Sequence, residues 1–258
     1  MYKKEEQYFT NIWKLDSEIR VDDYLEIFQD EQSMSEWKMA YEWFKFGTET
    51  SYHVQDRNRF FPDFLKEEVD RCMAMLDTAA LNGEYIDTFL KANQSRKVYA
   101  LQLHPASIGN HVLMRKYASA ENVKLFDYEA GECNTVLCEK RLGLMEPFTD
   151  LQTVNHQTKK IDDMELPYFD YLRCYSMSRA DAILKGAAVC IQKYRPLIAV
   201  NIGHYESDFV QVPFTLKRLC ENYSFYFRVH NYQGNDCLMY AVPQREFTSG
   251  KKIKEGYF

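Results

Sequence analysis

The side chains with which this chain of 258 residues could do chemistry lie at the ends of apolar runs. His204 follows the run Pro196 to Ile202. An imidazole titrates near neutral pH, so at such a place it can act as a base or contact an acceptor; the structural alternative is a loop histidine satisfied by polar neighbours. Arg228 and His230 stand two residues apart and together suit an acidic or sugar-like ligand, although a sheet-edge pair facing water fits equally. Asp77 lies in a third apolar run, Met73 to Ala79, ahead of a turn that contains Gly83. The seven cysteines have no CxxC pair and no metal-ligand spacing, which points to reduced, buried thiols and to no metal site.

These residues need elements to position them. From Val21 to Phe46, aromatics and aliphatics recur at three-to-four spacing among acids, the pattern of amphipathic helices. We read residues 1 to about 70 as a helical extension, with a loop around Gly47 to Asn58. Short apolar runs then alternate with helical segments, which is the signal for a mostly parallel sheet with crossover helices. The runs are Met73 to Ala79, Lys97 to Leu103, Asn122 to Phe126, Asp170 to Tyr175 and Pro196 to Ile202. Helices are expected from Gly83 to Ala92, Pro105 to Ser119, Ala180 to Tyr194 and Asp208 to Asn222. Thr135 to Glu139 is read as an accessory strand, followed by a long polar stretch to about Pro167. The last runs, Ser224 to His230 and Cys237 to Val242, are joined by a loop short enough only for antiparallel neighbours. The expectation is an α/β sheet of seven strands ending in an antiparallel hairpin, over residues 71–245, with a tail at 246–258. Ligands of such folds bind at the carboxyl ends of the strands.

Composition narrows the function classes. A net charge of -6 argues against a general nucleic-acid binder, and Lys251, Lys252 and Lys254 read as a solvated tail. The start lacks the apolar core of a signal peptide, and no run approaches the roughly 18 residues of a membrane span. A cytoplasmic protein is expected.

The segment Asp77-Thr78-Ala79-Ala80-Leu81-Asn82-Gly83-Glu84 resembles the first motif of the FkbM family of S-adenosylmethionine-dependent methyltransferases, approximately Asp-Xaa-Gly-Ala-Xaa-Xaa-Gly-Asp-Thr. Val98-Tyr99-Ala100-Leu101-Gln102-Leu103-His104-Pro105 is similar to its Val-Tyr-Ala-Phe-Glu-Pro-Xaa-Pro, and Leu184-Lys185-Gly186-Ala187 to its Leu-Lys-Gly-Ala. His204 through Asp208 and Phe209, then Val212-Pro213, resemble a His-Xaa-Xaa-Xaa-Asp-Leu and Ile-Pro pattern. Tyr226 to His230 and the closing strand match as well, and Phe60-Phe61-Pro62 resembles the family's Tyr-Phe-Pro. The resemblance spans residues 40 to 243 and implies a Rossmann-like methyltransferase fold that binds S-adenosylmethionine through Asp77, Ala79, Gly83 and Gln102.

Three departures bear on activity. Ala79 replaces a glycine that lets the backbone approach the cofactor and take dihedrals a Cβ penalises. Gln102 replaces a glutamate that binds the ribose, and a neutral hydrogen bond is roughly half as strong as a charge-assisted one. Tyr175, Met177 and Ser178 stand where the family has aspartate, glutamate and glycine, which removes its acid or base groups and leaves Tyr175 and His204 as catalytic candidates. His104 is a candidate ligand contact near the adenine. The resemblance therefore implies either a catalytically degenerate protein that binds or scaffolds a partner, such as an active paralogue, or an O-methyltransferase acting on a sugar or other hydroxyl. Exposed Trp13, Trp37 and Trp43 would supply a partner interface.

Overall fold

A computed structural model of the protein describes residues 14–47, 58–101, 108–142, 151–175, 180–230 and 236–244. The chain opens with α1 (Val21–Leu25) and α2 (Glu31–Phe46), followed by a 3-10 turn and α3 (Lys66–Arg71). Then come β1 (Ala74–Asp77), α4 (Glu84–Ala92), β2 (Lys97–Leu101), α5 (Ile108–Lys116) and β3 (Val123–Phe126). An accessory unit follows, with β4 (Glu129–Ala130), β5 (Thr135–Leu142) and β6 (Leu151–Lys159). The second half runs through β7 (Tyr171–Cys174), α6 (Ala180–Gly186), α7 (Ala188–Tyr194), β8 (Leu197–Asn201), α8 (Glu206–Leu219), β9 (Tyr223–Val229) and β10 (Cys237–Pro243).

Seven strands form one sheet in the order β3-β2-β1-β7-β8-β10-β9. Pairing is parallel from β3 through β8, and β10 runs antiparallel to both β8 and β9. Every residue of β1, β7 and β8 is buried, as expected of parallel strands covered on both faces. On one face Met75, Val98, Ala100, Tyr171 and Ala199 pack with Val69, Ile86, Phe89 and Leu113 of α3, α4 and α5. On the other, Leu76, Leu172, Ile198 and Met239 join Trp37, Ile183, Ile191 and Phe209 from α2, α6, α7 and α8. The chain reverses direction across the sheet between β1 and β7. Asp77 and Arg173 are Cα partners there, at the topological switch point where ligands of doubly wound sheets bind.

Two expectations are corrected. The stretch read as polar after the accessory strand contains β6, which pairs antiparallel with a β5 longer than expected and parallel with β4. Leu151, Val154 and the polar residues between them lack the apolar density by which the other strands were recognised. Trp37 is fully buried and Trp43 partly so, Trp37 being stacked on Tyr24, Tyr41 and Phe209. These tryptophans therefore form core rather than an exposed patch, and Trp13 lies outside the described residues.

The amino-terminal helices close the sheet's edge strand. Gln29 N–H donates to the Phe225 carbonyl at 2.8 Å. Ser33 Oγ accepts from Phe227 N–H at 2.9 Å, and the Glu36 carboxylate accepts from Val229 N–H at 2.7 Å. The outward backbone groups of alternate β9 residues are thus satisfied by α2 and the turn before it, which removes a free edge.

Candidate functional site

The site is built where β1 and β7 end side by side. Asp77, the last residue of β1, is fully buried, and so is Arg173. Arg173 Nη1 donates to Asp77 Oδ1 at 2.5 Å and to the Ala79 carbonyl at 2.8 Å. Ala79 N–H also donates to Asp77 Oδ1, at 2.9 Å. The guanidinium lies 4.0 Å from the ring centre of Tyr85, 4.2 Å from Phe60 and 5.6 Å from Tyr175, within the range of cation–π attraction. Asp77 Oδ2, Arg173 Nε and Arg173 Nη2 are buried without a hydrogen-bond partner among the described residues.

The turn after β1 uses two left-handed residues. Leu81 has φ 47° and Gly83 has φ 81°. A Cβ at Gly83 would fall 2.5 Å from the Tyr117 hydroxyl, so this glycine is needed for both conformation and space. Ala79 is not among the residues with positive φ. Its methyl group therefore carries no dihedral cost, and only the close approach of backbone to a ligand remains at issue.

Tyr175, just after β7, is held by a reciprocal pair of bonds with Thr78. Thr78 Oγ1 donates to the Tyr175 carbonyl at 2.9 Å, and Tyr175 N–H lies 3.1 Å from the same oxygen. The Tyr175 ring meets His204 edge-on at 5.1 Å. His204 Nε2 is buried without a hydrogen-bond partner among the described residues. Burial holds the imidazole below its ordinary pKa and so favours the neutral ring; the Asp236 carboxylate opposes this and the positive charge of Arg59 adds to it. Burial likewise pushes the Tyr175 hydroxyl upward, which makes it a poor base.

A second ion pair forms the rim. Arg59 pairs with Asp236 and donates from Nε to the Tyr85 hydroxyl at 3.0 Å. The Arg59 carbonyl accepts from the Tyr240 hydroxyl, whose oxygen lies 2.7 Å from His230 Nε2. Asn201 Nδ2 reaches Asp236 at 3.3 Å. The amino-terminal extension and the last hairpin thus meet over the strand ends.

The structure brings Asp77, Ala79, Tyr175 and His204 to one place and sends Arg228 elsewhere. The Arg228 guanidinium donates to Ser33 Oγ at 2.7 Å and from Nη2 to Asp30 Oδ2 at 2.8 Å, and lies 4.4 Å from the Phe64 ring centre. It fastens α2 to β9, while its presumptive companion His230 serves the Tyr240 and Arg59 chain. Gln102, His104, Met177 and Ser178 lie outside the described residues. Asp208 of the His-Xaa-Xaa-Xaa-Asp pattern accepts the backbone N–H groups of Ala180 and Asp181, so it caps α6 rather than facing a ligand.

Sequence reasoning missed Arg173, Arg59 and Asp236. Arg173 had a signal, being the one charged residue between Tyr171 and Tyr175, inside a buried strand. Tyr85 also had one, since it stands where the quoted first motif closes with threonine. Among the described residues no group of three or more His, Cys, Asp or Glu could hold a metal ion. S-adenosylmethionine fits the site in part, because the unpartnered polar atoms at the switch point ask for a charged or polar group. Asp77, Arg173 and the turn from Ala79 to Gly83 would hold it there, and it would supply the methyl group.

No family model and no curated protein matches the chain. Solved structures do. The FkbM methyltransferase from Methylobacillus flagellatus KT superposes with a TM-score of 0.68 at 18% identity, over 86% of this chain and 58% of that one. This chain therefore spans little more than half the length of that relative. A precorrin-6y C5,15-methyltransferase from Geobacter metallireducens GS-15 gives a TM-score of 0.43 at 11% identity, over 75% of this chain and 100% of that one. A Podospora anserina methyltransferase bound to S-adenosylhomocysteine gives 0.42 at 10%, over 88% and 94%. The fold is the Rossmann-like one of the Methylobacillus flagellatus methyltransferase structure.

Proposed function

We propose that this protein is a catalytically degenerate FkbM-like methyltransferase-fold protein that acts as a binding or scaffolding partner, for instance of an active paralogue. The observation that carries this reading is the buried bond between Asp77 and Arg173 beneath Phe60, Tyr85 and Tyr175. It ties up the acid at the switch point, and the next strand offers a tyrosine with a raised pKa where the family carries an aspartate. S-adenosylmethionine binding is weakened, and transfer has no carboxylate base. We read residues 71–245 as the working unit and 1–70 as its extension, in a cytoplasmic setting. No helix among the described residues is long and apolar enough to cross a membrane.

A second reading rests on His204. Its Nε2, without a partner among the described residues and beside Tyr175, supports a role as the base that takes a proton from a sugar-like or other hydroxyl acceptor, with alignment on the methyl group supplying much of the rate. Calorimetric titration with S-adenosylmethionine, followed by transfer of a labelled methyl group to hydroxyl acceptors, separates the two. Affinity weaker than micromolar and no labelled product is the expected outcome. Micromolar affinity with transfer that His204→Ala abolishes would establish the second reading instead.

A further inference from the structure

We propose that the Arg59 and Asp236 ion pair is a latch that holds the segment Arg59-Phe60 as a strap over the strand ends, and that releasing it admits ligand to the crevice beneath. This rests on the reading of a methyltransferase-type crevice with weakened cofactor binding, and adds that part of the weakness lies in a contact that can be undone.

The strap is pinned by strands that lie far from it in sequence. The Tyr240 hydroxyl of β10 donates to the Arg59 carbonyl, and the Tyr171 hydroxyl of β7 donates to the Phe60 carbonyl. Phe60 itself is fully buried. These bonds hold the backbone and leave the Arg59 side chain to a second task. Its guanidinium pairs with Asp236, the residue before β10, and its Nε donates to the Tyr85 hydroxyl at 3.0 Å. The Asp236 carboxylate also accepts from Nδ2 of Asn201, the last residue of β8, at 3.3 Å. One side-chain pair therefore ties the amino-terminal extension to the ends of β8 and β10.

What the pair covers gives it a role beyond stability. Arg59 and Arg173 lie against the same three rings, Phe60, Tyr85 and Tyr175, the Arg59 guanidinium at 5.7, 6.0 and 5.5 Å from their centres. Arg173 is fully buried, whereas 20% of the Arg59 side chain is exposed, so Arg59 is the outer of the two. A ligand bound for the strand ends passes the groups that Arg59 covers. The latch is also of a kind that opens. With 20% and 17% of their side chains exposed, Arg59 and Asp236 rehydrate when they part, whereas parting Arg173 from Asp77 strands two buried charges. Affinity for a crevice that is open part of the time scales with the open fraction.

S-adenosylhomocysteine serves as the probe, with binding read by ligand-observed magnetic resonance, which registers weak affinities. Asp236→Asn and Arg59→Gln each remove one charge of the latch. Each is expected to raise the affinity at least about fivefold. Each is also expected to speed amide exchange at Phe61, whose N–H donates to the Asn58 carbonyl at 2.8 Å beside the strap. Asp70→Asn, which breaks an exposed ion pair with Lys66, leaves both readings unchanged. Denaturant unfolding verifies that every variant is folded under the conditions of measurement. Faster exchange with unchanged or lower affinity overturns the latch, because the strap then opens without admitting ligand, and leaves the proposed function standing. A rise confined to one variant overturns it as well, because the pair is then not what closes the crevice. Binding by neither the parent nor the variants overturns the latch alone. Micromolar affinity in the parent that neither variant changes overturns the latch and the degenerate reading together.

Discussion

Two buried arginines divide the molecule. Arg228 on β9 and Arg173 on β7 are 3% and 0% exposed, each stacks on aromatic rings, and each pairs with an aspartate. They differ in what their bonds accomplish. Arg228 bonds to Asp30, Ser33 and its own strand's backbone, and the first two bonds fasten the start of α2 to the sheet edge. Among the described residues Arg173 bonds through a single nitrogen, and its other two are buried without a partner there. Burial and charge are alike at the two positions; what differs is the fraction of donors satisfied among the described residues.

The comparison breaks most visibly at Arg173. Arg173→Met leaves Asp77 as an uncompensated buried charge, and denaturant unfolding should show a loss of about 3–5 kcal/mol. Adding Asp77→Asn should restore most of it, because the second variant removes the stranded charge. Arg228→Met should cost less, about 2 kcal/mol, because Asp30 is 34% exposed and can be rehydrated. Equal losses at the two arginines would erase the distinction drawn between them.

Ser33→Ala tests the edge itself. It deprives Phe227 N–H and Arg228 of a shared acceptor, and thermal or denaturant unfolding should register about 1 kcal/mol. Faster amide exchange at Phe227 would locate the damage.

The smallest effect is a pH dependence. Burial pushes the Asp30 carboxyl up, but bonds from Arg228 and Ser33 outweigh it and hold the group below its ordinary range. The stability it contributes is complete above the unfolded carboxylate value near about 4 and is lost as pH falls through the lower folded value. Asp30→Asn should flatten that part of the acid-unfolding curve relative to the parent. An unchanged acid limb would show that the pair is too hydrated to matter.

The sheet was legible because its central strands β1, β7 and β8 are buried throughout and its other strands are still rich in apolar residues. β1, β2, β3, β7 and β8 fall within expected runs, and β9 and β10 each extend one residue beyond theirs, at Tyr223 and Pro243. What escaped was structure carried by polar chemistry. β6 hides among threonine, asparagine and glutamine. The single helix expected over 180–194 divides at Ala187 into α6 and α7, with Gly186 the last residue of α6. At the site, Asp77, Tyr175 and His204 were locatable because each ends or follows a strand. Arg173 and Asp236 were not chosen, since their roles depend on partners from distant parts of the chain, Asp77 and Arg59. Arg228 attracted attention through proximity to His230, but two adjacent strand residues on one face can still bond to different neighbours.

The sealing of β9 by Gln29, Ser33 and Glu36 joins residues nearly 200 positions apart, with separations of 194 for Ser33 and 193 for Glu36. A ribosome releases α2 long before it releases β9, so the helix waits for its strand through most of synthesis. During refolding the same closure is among the most non-local contacts and tends to come late. Until it forms, β9 is an open template for pairing with another chain. The contact that gives the finished fold a quiet edge also marks when the unfinished one is most exposed to aggregation.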